Sequence, residues 1–291
     1  MEKHRFRFLK PEDIKKLANF EFAPKYIVEG YFAGRHQAKH QGVSSEFRDY
    51  RPYTYGDDTS ALDWKVFART EKYFIRTFEQ ETNTACYILL DSSASMGFGD
   101  KLTKLEYASF FSAALCYLIT RSGNQAALET FDTSIREYLP PGSTGKHLQN
   151  LMHILEKNTP GSKTSLSSAL IKSFPLFERK GSIVIISDFF DNPAEIFSAL
   201  NPYLHRGFKV YLFHILTPEE IDLQAGGMRL FIDMEDNSKI PLHTDSIKNI
   251  YRKEITKHIE ALRELSKRRE VEYTFADTST HYFQLFDKLV R

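Results

Sequence analysis

Two cysteines, Cys86 and Cys116, are all the chain has in 291 residues, and both sit inside apolar segments. That excludes a disulfide framework and suits buried, reduced thiols in a reducing compartment. Charge of one sign is also missing. Lysine plus arginine total 39 against 38 acids, so nothing pulls the whole molecule toward nucleic acid or anionic lipid. No apolar run approaches the roughly 20 residues of a membrane helix. The opening stretch "MEKHRFRFLKPEDIKKLANFEF" has no secretory h-region. The ten histidines lack zinc-ligand spacing. Internal repeats and low-complexity tracts are absent as well. A cytoplasmic protein with no membrane span and no nucleic-acid partner is the expectation.

A large share of apolar residues is present: 42% hydrophobic against 26% charged, enough for a packed core. Two rhythms divide the chain. Residues 1–82 mix short segments: a helix at "PEDIKKLANF", strand and turn at "EFRDYRPYTYGDD", and an alternating strand at "KYFIRTFEQE". This predicts a small β-containing N-terminal domain. Residues 83–291 alternate strands with helices. "ACYILL" is a short apolar run without alternation, the pattern of a strand covered on both faces, and "GSIVIISD" and "FKVYLFHIL" read as two more buried strands. Helical spacing marks "KLEYASFFSAALCYLIT", "GKHLQNLMHILEK" and "SIKNIYRKEITKHIEALRELSKRR". "MRLFIDMEDNSKIPLH" reads as a hairpin. The fold class expected is α/β, a Rossmann-like central and mostly parallel sheet with helices on both faces.

The first of those strands runs into "DSSAS", and the second also ends on an acid. In an open α/β sheet, ligands bind outside the carboxyl ends of the strands. One rim could therefore gather Asp91, Ser93, Ser95, Thr164 and Asp188. Two carboxylates and three hydroxyls form an all-oxygen set suited to a hard divalent cation: magnesium, or manganese or calcium. With so few charges offsetting it, such an ion stays electrophilic toward a carboxylate from outside.

Blander readings stand beside this one. Asp91 could cap the following helix, Thr164 could be an N-cap, and Asp188 could be a turn residue ahead of Pro193. Asp191 reads as a turn acid outside the site. Asp63 and Arg69 read as an ion pair, with Trp64 packed as core. "PPGSTGKHLQ" hints at a phosphate loop, but Pro140 replaces its first glycine and His147 its Ser or Thr. The basic residues Lys25, Arg35, His36, Lys39 and His40 read as a solvated face. A metal-dependent, phosphatase-like hydrolase is the alternative function. Against it, Ser93 stands where such chemistry needs a second acid, and no Gly-x-Ser-x-Gly elbow occurs.

The ordered set Asp91, Ser93, Ser95, Thr164 and Asp188 resembles the metal-ion-dependent adhesion site of von Willebrand factor A domains. The stretch before it, with Glu46-Phe47-x-x-x-Arg51, Tyr53-x-x-Gly56-Asp57-Asp58 and Asp63-Trp64-Lys65-x-x-Ala68-Arg69, is similar to the bacterial family called domain of unknown function 58. The resemblance implies a von Willebrand A-like domain over 83–291, here in a short form without N-terminal membrane helices. It also implies a non-enzymatic protein-interaction role. The implied partner offers an acidic residue and is a MoxR-type AAA+ ATPase or its client, in the maturation of protein complexes.

Overall fold

The computed structural model describes residues 6–20, 22–24, 26–27, 45–54, 62–80, 84–161, 163, 165–223, 226–234 and 238–289. Thr164, the turn at 55–60 and the basic residues Lys25, Arg35, His36, Lys39 and His40 lie outside them. In chain order the elements are α1 (Pro11–Leu17), α2 (Phe22–Pro24), β1 (Ser45–Pro52), α3 (Trp64–Thr70) and β2 (Phe74–Gln80). Then come β3 (Ala85–Asp91), α4 (Lys104–Arg121), β4 (Gln125–Phe131), β5 (Ile135–Gly142), α5 (Gly145–Lys157), α6 (Leu166–Ser173) and β6 (Gly181–Ser187). The chain closes with α7 (Pro193–His205), β7 (Lys209–Leu216), α8 (Pro218–Ile221), β8 (Met228–Ile232), β9 (Lys239–His243), α9 (Thr244–Arg268), β10 (Glu272–Asp277) and α10 (Gln284–Lys288).

Six strands form the main sheet, in the order β10-β7-β6-β3-β4-β5. Every pairing is parallel except β4 with β5. The expected mostly parallel sheet is therefore present. All seven residues of β3 are buried, because helices cover both of its faces. Cys86, Ile88 and Leu90 enter one apolar cluster with α4, α5 and α10. Ala85, Tyr87 and Leu89 enter the other, with α6, α7 and Leu262 of α9. Each fully buried Leu or Ile contributes about 1.5–3 kcal/mol of transfer free energy.

The chain divides into two compact units, Met1–Tyr31 with Thr84–Arg291, and Phe32–Asn83. This differs from the boundary expected between 82 and 83. Phe8, Leu9, Leu17, Ala23 and Ile27 belong to the same cluster as α4 and α10. The Tyr211 hydroxyl also donates to the Tyr26 carbonyl at 2.8 Å. The start of the chain is thus core material of the large unit, a long-range burial that its short mixed pattern does not reveal.

The small unit pairs β1 with β2 antiparallel, with an irregularity between Phe47 and Asp49. Asp63 is the N-cap of α3, accepting from the Lys65 and Val66 amides at 2.9 and 3.3 Å. Trp64 is not core as expected. It sits at the first position of α3, a helix with no buried residue, and is 60% exposed.

Candidate functional site

The sheet order explains where a site can form. From β3 the chain crosses to β4 on one side, and later to β6, β7 and β10 on the other. The crossovers diverge between β3 and β6, which opens a crevice at their carboxyl ends. Asp91 is the last residue of β3, and Asp188 follows the last residue of β6. Neighbouring strands lie about 4.8 Å apart. Topology alone therefore brings together two acids separated by 96 intervening positions.

Both acids are buried. Asp91 Oδ1 accepts from the Ser93 amide at 2.9 Å, which fixes the turn leaving β3. Asp91 Oδ2 accepts from the Ser187 hydroxyl at 2.6 Å. Burial, and then the negative charge of Asp188, raise the Asp91 pKa, while the hydrogen bonds from Ser187 and Ser93 oppose that rise. The hydroxyls of Ser93 and Ser95 lie 3.1 Å apart on the short 3₁₀ turn Ala94–Gly97. Ser93, the N-cap of that turn, makes no side-chain capping bond. The expected alternative, in which Asp91 merely caps a helix, gives way to a carboxylate tied to the turn and to β6.

The loop before α6 is held on both sides of Thr164. The Gly161 amide donates to the Ser92 carbonyl at 2.7 Å, and the Leu166 amide to Asp191 Oδ2 at 2.6 Å. Gly161 is needed for this approach, since a Cβ there would lie 2.6 Å from Asp132 Oδ2. Asp191, read from sequence as a plain turn acid, ties the start of α6 to the loop after β6.

Phe189 follows Asp188 with φ at +51°, a left-handed conformation costing a bulky residue about 1–2 kcal/mol. Three contacts hold it. Its amide donates to Ser187 Oγ at 3.0 Å, its carbonyl faces His258 Nε2 at 2.8 Å, and its ring is buried against His214. Ser187 therefore supports both the Asp91 carboxylate and the bend that presents Asp188.

Lys104 has no counterpart in the five-residue pattern. It opens α4, is fully buried, and places Nζ 2.7 Å from Asp188 Oδ2 and 2.5 Å from Glu220 Oε1. Burial pulls its pKa down, but the two carboxylates outweigh that and leave it raised. Glu220 is held in turn by the capping box of α8, where its Oε2 accepts from the Thr217 amide at 3.0 Å. His214, on β7 level with Ser187, has its pKa pushed down to about 3, chiefly by burial, and stands as a neutral imidazole. Sequence reasoning missed Ser187, Lys104 and Glu220. Only Glu220 had a local signal, the Thr-Pro-Glu-Glu capping pattern at 217–220.

The donor set fits a divalent cation. Asp91 and Asp188 repel one another inside the protein, and a cation between them would relieve that repulsion. Among the described residues, no three His, Cys, Asp or Glu side chains are disposed to hold a metal ion. A cation here would depend on the serine hydroxyls. Lys104 takes one oxygen of Asp188.

This is an α/β domain with a mostly parallel six-stranded sheet and paired acids at its switch point. The chain belongs to the family described as protein of unknown function DUF58, whose model matches residues 49–264. It is 25% identical to the uncharacterized protein Rv1480 of Mycobacterium tuberculosis over 229 residues, 77% of this chain and 72% of that one. Among solved structures it is similar to the conserved hypothetical protein BatB from Bacteroides thetaiotaomicron. That match has a TM-score of 0.49 and 17% identity, and covers 71% of this chain and 100% of the other. A von Willebrand factor type A protein from Catenulispora acidiphila matches with a TM-score of 0.43 and 10% identity, over 74% of this chain and 43% of that one. Among the described residues, no helix is long and apolar enough to cross a membrane.

Proposed function

We propose that this chain is a non-catalytic docking module whose grip on a partner protein depends on a divalent cation. Asp91, Ser93, Ser95, Thr164 and Asp188 hold magnesium, or manganese or calcium, directly or through water. The observation that carries this reading is the convergence of Asp91 and Asp188 at the switch point, with the Ser93 and Ser95 hydroxyls beside them. A cation there would supply an electrophilic position that a carboxylate of the partner completes. The chain's own residues do the rest. Ser187 holds Asp91 in place, the Phe189 bend presents Asp188, and the Lys104 ammonium offsets part of the Asp188 charge. Resemblance to the family supports a cytoplasmic role beside a MoxR-type AAA+ ATPase or its client. Against the hydrolase alternative, Ser93 stands two residues after Asp91, where such chemistry usually places its second acid.

Magnesium titration followed by thermal unfolding tests the reading. The wild type is expected to gain about 2.7 kcal/mol at a hundredfold excess over the dissociation constant. Asp91→Ala and Thr164→Val should each lose that response. Equal gains in all three proteins would overturn the site.

A further inference from the structure

Lys104 is placed where a lysine is least favoured. It opens α4, so its charge sits at the positive end of the helix dipole, and it has no exposed surface. An ammonium is stable there only if carboxylates offset its lost water. Asp188 Oδ2 at 2.7 Å and Glu220 Oε1 at 2.5 Å do so, and Nζ also lies 5.2 Å from the centre of the Phe190 ring. Glu220 is fixed in turn by the Thr217 amide, 3.0 Å from its Oε2. The ammonium is therefore a fixed, buried charge bonded to one of the two acids at the strand ends.

The charges around it can be followed one by one. Asp188, Glu220 and Lys104 together carry one net negative charge, and Asp91, which the charge of Asp188 repels, brings a second. His214 adds none, because burial keeps it neutral. Asp132 has its own partner in Arg136 at 3.9 Å. Asp191 also feels the charge of Asp188, but it is partly exposed, so water screens it. The buried set is thus two charges short of neutral with Lys104 present, and three short without it. One magnesium or calcium ion supplies two. Charges in a buried site are screened little, so a difference of one bears directly on which ion is held best.

We propose that Lys104 sets the ionic charge the site accepts, keeping it a site for divalent rather than trivalent cations. This rests on the cation reading above and names the residue that gives that site its selectivity. Glu220 holds the ammonium in place, so the ion meets the same fixed charge each time it binds.

Calcium and terbium have nearly the same radius and differ in charge, so they separate charge from size. Isothermal titration calorimetry of the full chain gives a dissociation constant for each, and their ratio is the readout. Lys104→Met removes a positive charge and should shift the ratio toward terbium by at least about tenfold. Glu220→Gln removes a negative charge and should shift it toward calcium while weakening both ions. Lys104→Met combined with Glu220→Gln restores the net charge and should return the ratio close to that of the wild type. Side chains that only filled space would not give opposite shifts that cancel. Equal ratios in the folded variants, or a double variant that keeps the Lys104→Met shift, overturn the proposal. If Lys104→Met does not fold, Glu220→Gln against the double variant decides it, and equal ratios in those two overturn it. Asp91→Ala separates this proposal from the cation reading. Equal ion binding by the wild type and Asp91→Ala removes the cation site and this proposal with it. Binding that needs Asp91, with a ratio that Lys104 and Glu220 do not move, removes this proposal alone.

Discussion

Glu129 and the Asp91–Asp188 pair are buried carboxylates on adjoining strands of one sheet, and the protein treats them differently. Glu129 points from β4 into the cluster packed under α6 and α7. There Ser173 donates to its Oε1, and its Oε2 has no partner among the described residues. Burial pushes its pKa up to about 7, and the Ser173 bond only partly opposes that. At the strand ends, the amide of Ser93, the hydroxyl of Ser187 and the ammonium of Lys104 all reach the acids. A carboxylate that merely sits inside a protein tends to keep its proton. Burial, and then the charge of Asp188, push Asp91 up to about 7 as well, but Asp91 has a donor on each oxygen where Glu129 has a donor on one. The crevice therefore gives its acids hydrogen-bond donors and a neighbouring ammonium, and the Glu129 position has a single hydroxyl donor.

Removing the ammonium should break the contrast most strongly. Lys104→Ala leaves Asp188 and Glu220 buried without their cation and should cost about 3–5 kcal/mol in urea unfolding. Pairing Lys104→Met with Glu220→Gln should recover part of that loss, a non-additivity that a double-mutant cycle measures. Additive effects would show that Lys104 and Glu220 do not act as a unit.

Glu129→Gln sharpens the other side. The folded-state pKa of Glu129 lies above its unfolded value, so the folded chain binds the proton more tightly. The stability from this site is full below about pH 4.5 and falls as pH rises through about 7. The variant lacks that fall. Its advantage over the wild type should grow from about pH 5 to about pH 8 and approach about 3 kcal/mol. A difference that stays constant with pH would mean that Glu129 does not titrate there.

Ser187→Ala is the smallest of the three. It removes the hydroxyl between Asp91 and the Phe189 amide and should cost about 1–2 kcal/mol. It should also weaken the magnesium response, because the Asp91 carboxylate and the Phe189 bend lose a shared support. A Glu129→Gln chain should keep that response unchanged. Equal magnesium responses in the two variants would erase the distinction between the regions.

Much of the fold was legible before any coordinates. Apolar-rich runs at 85–90, 182–186 and 210–216 marked buried strands, and they are buried in the central sheet. The acids at the ends of the first two were legible too, because a charge closing such a run needs a reason. Less was legible where partners are far apart in the chain. Residues 6–27 looked like part of a separate small domain, yet Leu17 and Ile27 are core of the large unit. Trp64 looked like core and is exposed, on a helix whose described residues include none that is buried. Lys104 gave no local sign of its role, since Asp188 is 84 positions away. The hairpin at 228–243 was visible as a hairpin, but not as the wall of a groove beside Asp188.

By itself, the sequence determined which segments become strands and helices, and that two strands end on acids. Both follow from local periodicity and from the cost of burying charge. Only the tertiary structure decided that β3 and β6 are neighbours at the switch point, that a buried lysine bridges Asp188 and Glu220, and that a hairpin stands across an apolar cleft from the strand ends. Those outcomes depend on sheet order and on contacts between residues tens of positions apart, which no local pattern encodes.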